Sequence, residues 1–579
     1  MAHEIRRRAS TNARIVGRTA SKLTLAGAAA KTAPGAALHH LPAAFRTGTS
    51  LQDEWMAPHF GGPSDTTVDS FARTHHEVRP VAGVLEQLGA IRAKAGETRT
   101  TGLDDQTICD FATRDPELVE AVDAATKELA ALESEYPELI SLGEMEQIHA
   151  IEKHLVNFYA DDTVNPYVAL AARGPWIVTT KGAVVHDNGG YGMLGFGHLP
   201  GPIVEAMSRP QVMANVMTPS FAQLRLAEAL EAEIGQTRKG GCPFTHFLAM
   251  NSGSESVSVA TRISDVNAKL LTEKGGRHEG KHIAKMSLTG GFHGRTGRPA
   301  QFSHSTSGAY HGHLASFRDH CLITVDPNDV DGLREHFAKA DAEGYFIEAF
   351  FMEPVMGEGN PGVAITPEFY AAARELTLEH GSLLLVDSIQ SGLRTTGYLS
   401  VVDTPGFQEL EAPDMETFSK ALNAGQYPLS ILAMTDRAAS LYRKGIYGNT
   451  MTANPRAMDI GTAVMRMLTP EVRRNIVERG EEFVAKLKAL AAELDGKIKN
   501  VQGTGLLFSC ELAPEYKAYG TDSLEEYMRI KGIGVVHGGE NSLRFTPHFN
   551  VTSDEVDLIV DGVRDAILNG PRAGKATHA

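Results

Sequence analysis

Short apolar segments alternate with amphipathic helical stretches from about residue 200 onward, and this alternation limits the possible folds more than any other feature of the chain. Short apolar runs are typical of buried strands, whereas apolar residues at helical spacing predict helices. Strands that alternate with helices predict an α/β fold whose mostly parallel sheet is covered by helices on both faces. The predicted strands include 245–250, 282–287, 349–352 and 383–386, and the predicted helices include 221–234 and 367–380.

The sequence on either side of this region has a different pattern. Residues 115–157 carry apolar side chains at helical spacing with Glu and Lys between them, which predicts two or three helices that pack on the main body or on a partner subunit. Two apolar runs flank Lys181 and Gly182, a pattern that predicts a hairpin. Beyond residue 460, a long helix over 470–494, shorter strands and a last helix over 553–568 predict a smaller α/β domain.

The chain has 579 residues, which is enough for several domains at roughly 100–200 residues each. We predict a basic arm over 1–50, a helical extension over 51–160, the N-terminal part of a small domain over 161–204, a large ligand-binding domain over 205–455 and the C-terminal part of the small domain over 456–570. The arm is rich in arginine, and Glu4 is its only acidic residue. It fits either a flexible arm on a cytoplasmic protein or a transit segment for an organelle matrix.

The overall composition argues against several classes of function. The formal net charge of −16 disfavours broad binding of nucleic acid, which needs a basic surface. No stretch approaches the roughly 18–20 apolar residues of a membrane helix. The four cysteines are far apart and have no histidine pair nearby, so we expect no disulfide framework, no metal site and a reducing compartment.

Three polar groups occur in order where we expect the carboxyl ends of the large domain's strands, and a sheet of this kind binds its ligands at those ends. Gly253 and Ser254 lie between a strand and a helix and could bind an anion, although such a turn is usually only a helix cap. Asp387 ends a buried strand and either caps a helix or pairs with a cation. Lys420 lies in a small, apolar stretch and is either a nucleophilic amine or an extended surface lysine.

The order of these groups, with several further stretches, resembles the class III (ornithine/4-aminobutyrate-type) aminotransferases of fold type I. The resemblance covers residues from about 165 to 568. The matching stretches, in the family's order, are Ser252-Gly253-Ser254-Glu255, Gly291-Phe292-His293-Gly294-Arg295-Thr296, Glu353-Pro354-Val355-Met356-Gly357-Glu358, Asp387-Ser388-Ile389-Gln390, Ser419-Lys420-Ala421-Leu422 and Gly448-Asn449-Thr450.

The resemblance implies pyridoxal 5′-phosphate as the cofactor and assigns residues to it. Lys420 matches the lysine that holds the cofactor as a Schiff base and moves the substrate proton. Asp387 matches the acid that keeps the cofactor's pyridine nitrogen protonated, so that the ring can accept electrons. Gln390 matches a residue near the cofactor's phenolic oxygen, and Phe292 matches the aromatic residue that stacks on the ring.

The same resemblance implies how the phosphate is bound. Gly253 and Ser254 match the phosphate-binding turn. Thr450 matches a threonine that reaches the phosphate of the cofactor in the neighbouring subunit. A homodimer, or a dimer of dimers with shared active sites, is therefore expected.

Four further residues match positions that contact the substrate. Arg295 resembles the arginine that binds a distal carboxylate, and Arg544 resembles the arginine that binds the α-carboxylate of glutamate or 2-oxoglutarate. Glu358 matches the glutamate that pairs with Arg544 while an amine without an α-carboxylate is bound. Tyr191 falls near an aromatic position that lines the substrate site. A structural ion pair is the alternative for each charged residue.

The sequence departs from the family at several positions, and these departures bear on the substrate more than on the cofactor. Ser388 stands where the family usually has glutamate, and Asn423-Ala424 replaces the usual pair of glycines. No clear equivalent exists near residue 163 for a tyrosine that ornithine-type enzymes use.

The expected reaction is transfer of an amino group from an amino acid, ω-amino acid or diamine to a 2-oxo acid, with 2-oxoglutarate favoured, by a ping-pong mechanism. Racemisation or epimerisation, decarboxylation and elimination on the same cofactor are the alternatives. A non-catalytic scaffold is a third reading, which the presence of Lys420 and Asp387 disfavours.

Overall fold

The computed structural model describes residues 81–160, 163–318 and 320–573. The predicted arm and the first part of the predicted extension lie outside these residues. The helices are α1 Val81–Arg92, α2 Asp105–Ala112, α3 Pro116–Glu135, α4 Pro137–Ser141, α5 Glu144–Glu152, α6 Gly201–Ser208, α7 Phe221–Glu233, α8 Gly253–Thr272, α9 Ser307–His313, α10 Val330–Ala342, α11 Pro367–His380, α12 Asp436–Leu441, α13 Pro455–Met467, α14 Pro470–Glu493, α15 Leu524–Ile530 and α16 Ser553–Asn569. The strands are β1 Ala169–Arg173, β2 Trp176–Thr179, β3 Val184–Asp187, β4 His246–Met250, β5 His282–Leu288, β6 Leu322–Val325, β7 Tyr345–Met352, β8 Leu383–Asp387, β9 Met415–Phe418, β10 Ser430–Met434, β11 Ile498–Thr504, β12 Leu507–Leu512, β13 Ile533–Gly534, β14 Val536–Gly538 and β15 Ser542–Phe545.

A seven-stranded sheet forms the centre of the large region, with strand order β4-β10-β9-β8-β7-β5-β6. Its strands are parallel from β9 to β6, and β10 runs antiparallel to both of its neighbours. All five residues of β8 are buried, as expected for a strand covered by helices on both faces. The predicted α/β fold with a mostly parallel sheet is therefore confirmed.

Two smaller sheets lie outside the large one, with strand orders β1-β2-β3-β13 and β11-β12-β15-β14. The predicted hairpin is formed by the antiparallel strands β2 and β3, and Gly182 at its turn has a φ of +72°, which glycine adopts readily. Strand β13 pairs with β3 in parallel, so segments from both ends of the described chain share one sheet. The predicted domain boundaries themselves stay a prediction.

The helices that precede the first sheet belong to the predicted extension. Over 115–157 the structure has α3, α4 and α5, in agreement with the prediction of two or three helices. Helix α3 buries Leu118, Val122, Ala125 and Leu129 and packs on β1 and β2. The helices therefore share a core with the small sheet. Among the described residues, no helix combines the length and apolar character needed to cross a membrane.

A buried cluster of two histidines and one glutamate joins β3 to the start of α16. The Nε2 atoms of His186 and His548 each lie 2.9 Å from Oε1 of Glu555. The other oxygen of Glu555 accepts hydrogen bonds from the backbone N–H and the hydroxyl of Thr552, which caps the helix. The cluster therefore ties the C-terminal helix to the small sheet.

Candidate active site

A cavity of about 190 Å³ lies at the carboxyl ends of the central strands of the large sheet. It contains every predicted cofactor-binding residue except Thr450. The lining residues are Ser252, Gly253, Ser254, Phe292, His293, Gly294, Glu353, Asp387, Ile389, Gln390, Ser419 and Lys420.

Lys420 begins the short turn that follows β9, and its Nζ donates a hydrogen bond to Oε1 of Gln390 over 3.0 Å. Burial lowers the pKa of Lys420 to about 8, and the nearby positive charge of Arg544 acts in the same direction. The backbone of Lys420 has a φ of +46°, a left-handed conformation that is uncommon for non-glycine residues. The amine is thus held in the cavity with a pKa that favours nucleophilic attack.

Asp387 ends β8 and is only 4 % exposed. One carboxylate oxygen lies 2.9 Å from Nδ1 of His293, and the other accepts a hydrogen bond of 3.2 Å from the backbone N–H of Ile389. A second carboxyl group, that of Glu353, also lines the cavity, and burial raises its pKa to about 7, with the Asp387 charge adding to the effect. The site therefore holds one oriented carboxylate and a second carboxyl group that is readily protonated.

The N-terminus of α8 forms one wall of the cavity. Its first residue, Gly253, has no room for a side chain, because a Cβ there would lie 2.7 Å from Cδ1 of Ile389. Gly294 has a φ of +106°, and a Cβ at this residue would lie 2.5 Å from Oγ of Ser254. The first N–H groups of a helix lack intrahelical partners and attract anions. The wall can therefore bind a phosphate group.

Arg544 lies on β15 with its side chain 1 % exposed. Its Nη1 donates to the carbonyl of Gly357 and to Oε2 of Glu358, the latter over 3.1 Å. Its Nε and Nη2 are buried and have no hydrogen-bond partner among the described residues. The guanidinium also lies 5.0 Å from the ring centroid of Tyr191. The predicted Arg544–Glu358 pair is thus formed, with two further N–H groups available for a carboxylate.

The remaining two predicted residues are exposed. Arg295 has its guanidinium 5.4 Å from the ring centroid of Phe292, and it pairs with no carboxylate in the part of the chain that the structure describes. Thr450 follows α12 on an exposed loop and does not line the cavity of its own chain.

The departures noted in the sequence have local structural explanations. Ser388 donates a hydrogen bond of 2.6 Å to Oε1 of Glu416 on β9, so a carboxylate from the neighbouring strand lies beside the position where the family has one. Glu416 also accepts from the hydroxyl of Ser400 and the N–H of Val401, and burial raises its pKa to about 7. Ala424 takes a left-handed φ of +50°, where glycine is the usual residue.

Sequence reasoning gave no role to His293, Glu353 or Glu416. The first two lie inside the stretches that carry the resemblance, and a charged residue next to a glycine or a proline in such a stretch was the available signal. Glu416 had none, because an isolated acid in a short apolar run does not reveal its partners.

Comparison with known proteins agrees with this geometry. A family model described as aminotransferase class-III matches residues 158–567, which is most of the chain. The chain belongs to the class-III aminotransferases. Members of this family carry out pyridoxal-phosphate-dependent transamination, and the class-III chain described here is a transaminase of that kind.

Curated relatives include ornithine and acetylornithine aminotransferases. The chain is 28 % identical over 404 residues to ornithine aminotransferase 2 of Staphylococcus aureus, which covers 69 % of this chain and 93 % of the relative. It is 30 % identical over 309 residues to acetylornithine aminotransferase of Xanthomonas campestris, over 53 % of this chain and 70 % of the relative.

Solved structures show the same fold. The ornithine aminotransferase of Toxoplasma gondii aligns with a TM-score of 0.63 and 22 % identity, over 76 % of this chain and 98 % of that one. Acetylornithine aminotransferase of Elizabethkingia anophelis aligns with a TM-score of 0.58 and 21 % identity, over 74 % and 100 % of the two chains. The fold is therefore fold type I.

The residues of the cavity fit pyridoxal phosphate. The group needs an amine for its aldehyde, an acid for its ring nitrogen and an anion site for its phosphate. Lys420, Asp387 and the start of α8 at Gly253 supply these three within one cavity. Gly253 packs closely on the Ile389 side chain and Gly294 on that of Ser254, so both glycines keep these elements of the cavity wall in place.

Proposed function

We propose that this aminotransferase moves an amino group from an amino acid, ω-amino acid or diamine to 2-oxoglutarate, and that Lys420 is its catalytic amine. The observation that carries the proposal is the buried Lys420 amine with a pKa of about 8, in one cavity with Asp387 and Gln390. An amine with this pKa can take a proton and return it near neutral pH.

Each residue of the cavity has a proposed task. Bound pyridoxal phosphate supplies a ring that accepts electrons from the substrate's α-carbon. Lys420 binds the cofactor and moves the proton lost from that carbon. Asp387 holds the proton on the ring nitrogen, and Gln390 hydrogen-bonds near Lys420. Phe292 packs against the ring, which excludes water from one face.

The phosphate is held by the start of α8. We propose that the backbone N–H groups of Gly253 and Ser254 bind it, because they are the first N–H groups of α8, line the cavity and attract anions.

Arg544 and Glu358 are proposed to select the two substrates in turn. While a terminal amine is bound, the Glu358 carboxylate neutralises Arg544, with Nη1 and Oε2 3.1 Å apart. When 2-oxoglutarate enters, its α-carboxylate takes the place of Glu358 on Arg544, whose Nε and Nη2 are free for a bidentate contact. Arg295 binds the distal carboxylate, and Tyr191 packs against the guanidinium of Arg544.

We further propose that the active unit is a homodimer in which Thr450 contributes to the neighbouring site. Large apolar side chains are exposed on the chain in isolation, which a second copy would cover. They include Val156 at 98 %, Met217 at 81 %, Phe221 at 78 % and Met451 at 55 % exposure. Met451 is adjacent to Thr450 in sequence, so burial of Met451 against a second copy would bring Thr450 to the partner.

A half-reaction experiment tests the proposed chemistry. The purified chain, loaded with pyridoxal phosphate, is mixed with L-ornithine, 4-aminobutyrate or L-glutamate without any 2-oxo acid. Loss of the visible band of the bound cofactor, and its recovery on addition of 2-oxoglutarate, is expected. Lys420→Ala should abolish both changes, whereas Lys444→Ala, at an exposed lysine, should preserve them.

Other outcomes would contradict the proposal. A band that persists while the donor is racemised or loses carbon dioxide would assign a different reaction to the same cofactor. For the dimer, mixing a Lys420→Ala chain with a Thr450→Ala chain should restore part of the activity, since one of the two mixed sites has both residues intact. No recovery in a verified mixed dimer would exclude the shared site.

A further inference from the structure

The segment that joins α5 to β1 contains one anchored side chain. Residues 153–158 and Ala160 are exposed, whereas Tyr159 between them is half-buried. Val156, three residues earlier, is 98 % exposed. Tyr159 therefore makes contacts that its neighbours in the segment do not make.

Those contacts lead into the active site. The ring of Tyr159 stacks on the ring of Tyr191, with centroids 5.9 Å apart and planes inclined by only 7°. Tyr191 is itself largely removed from water, and burial, together with Tyr159, raises its pKa above the usual range. Two parallel rings at this separation are an attractive offset arrangement. The two rings therefore form one continuous aromatic wall.

An arginine lies at each end of this wall. The guanidinium of Arg544 is 5.0 Å from the Tyr191 centroid, and that of Arg295 is 6.0 Å from the Tyr159 centroid. Arg295 also lies 5.4 Å from the Phe292 centroid, so two aromatic rings contact it. A guanidinium held against aromatic faces keeps its in-plane N–H donors for a carboxylate.

Both arginines have N–H groups that can donate hydrogen bonds to a carboxylate. Within the part of the chain that the structure describes, Nε and Nη2 of Arg544 are buried without a partner, although its Nη1 is paired. Arg295 pairs with no carboxylate in the ranges that the structure covers. The rings of Tyr159 and Tyr191 form an apolar surface between the two arginines, and such a surface suits a methylene chain. The site therefore matches a molecule that has a carboxylate at each end.

We propose that Tyr159 is a specificity-determining residue that orients Arg295, so that the enzyme selects dicarboxylic 2-oxo acids and dicarboxylic amino acids. The proposal rests on the proposed function, because it deepens the roles given there to Arg295 and Arg544. The end of the predicted N-terminal extension then takes part in substrate choice. Tyr159 acts through Arg295 and Tyr191 rather than on the reacting atoms.

Removal of the Tyr159 ring should weaken binding of a dicarboxylate. Tyr159→Ala takes away one of the two rings that hold Arg295 and one face of the Tyr191 stack. We expect the Kd of the cofactor-loaded protein for glutarate, which has two carboxylates and no reacting group, to rise about tenfold. Tyr159→Phe keeps both ring contacts and should change the Kd less than twofold.

The test measures glutarate binding by calorimetry and 2-oxoglutarate kinetics on the same full-length chains. For Tyr159→Ala, the KM for 2-oxoglutarate should rise with the Kd while kcat stays within twofold. Tyr136→Ala is the matched control, a half-exposed tyrosine of the same extension, and should behave as the unaltered chain. Tyr159→Ala in an Arg295→Ala background should have little further effect, because its target is gone.

Several results would overturn the proposal. These are failure of the unaltered protein to bind glutarate, equal binding by the Tyr159→Ala chain, or fully additive effects in the double variant. Failure of the proposed function looks different, because the cofactor band of the unaltered protein would then not respond to amines whatever glutarate does. A fall in the thermal midpoint of Tyr159→Ala alone, with unchanged Kd, would assign the residue a structural role only.

Discussion

Replacement of His293 by leucine should slow the transamination half-reaction without unfolding the protein. His293 is buried in the cavity wall, with Nδ1 2.9 Å from Asp387 and its ring edge-on to Phe351 at 5.9 Å. Leucine places a side chain of similar size at this position but removes the hydrogen bond. Of the hydrogen bonds that described residues make to Asp387, the one from the N–H of Ile389, at 3.2 Å, then remains.

The size of the effect follows from the kind of bond that is lost. A hydrogen bond to a charged group contributes about 1.5–3 kcal/mol. If that energy is fully used to orient Asp387 in the transition state, the rate falls by about tenfold to a hundredfold, since each ~1.4 kcal/mol is a factor of ten. Partial rotation of the carboxylate would bring the loss toward the lower figure.

The assay is rapid mixing of the cofactor-loaded chain with L-glutamate, followed at the visible band of the cofactor. His293→Leu should lower the rate of the change, and circular dichroism should show an unchanged fold. In an Asp387→Asn background the same replacement should lower the rate less than threefold, because the carboxylate charge that His293 contacts is then absent. An equal loss in both backgrounds would refute the reasoning that His293 acts through Asp387.

Three further predictions concern other parts of the chain. Arg544→Ala should impair the 2-oxoglutarate half-reaction by about a hundredfold and the 4-aminobutyrate half-reaction by less than tenfold, and equal losses in single-turnover kinetics would show that the Glu358 switch is wrongly assigned. Glu416→Gln should lower the free energy of unfolding by about 1–3 kcal/mol in urea, because one of the donors around it loses its acceptor, and no change would exclude a structural role for this carboxylate. Burial alone would lower the pKa of His548, but the Glu555 carboxylate raises this pKa above its usual value. The stability that the protonated His548 contributes is therefore complete below the pKa of the unfolded chain, about 6.5, and is lost as pH rises through the pKa of the folded chain. The thermal midpoint should therefore fall from pH 6 to pH 8, and His548→Gln should make that fall shallower.

The general architecture was predictable because hydrophobic periodicity reports burial directly. Helix 367–380 was placed with the bounds that α11 has, and the four predicted strands correspond to β4, β5, β7 and β8. Strands β6, β9 and β10 were not predicted. Strand β9 is only four residues long and contains Glu416, an acid whose burial depends on partners elsewhere in the chain.

The candidate site likewise contains residues that the sequence predicted and a contact that it did not predict. Gly253 follows β4, Asp387 ends β8 and Lys420 follows β9, so the topology of the sheet brings them to one edge. Their order along the chain and the family resemblance were enough to find them. The contact of Tyr159 with Arg295 joins residues far apart in sequence, and no local sequence pattern predicts it. Such a contact depends on where a connecting segment runs over the surface, which periodicity does not determine.

Ser388 shows how a departure within a motif can be compensated from another strand. Alone, a serine in place of a glutamate indicates lost charge beside the end of β8. In the structure, Glu416 of the neighbouring strand accepts its hydrogen bond and also those of Ser400 and Val401, so a carboxylate still holds the segment that follows Asp387. Parallel strands make this exchange possible, because side chains at matching positions of β8 and β9 lie side by side, with Val386 opposite Glu416. The departure therefore changes which strand supplies the carboxylate, and the place to look for altered substrate choice is the wall formed by Tyr159 and Tyr191.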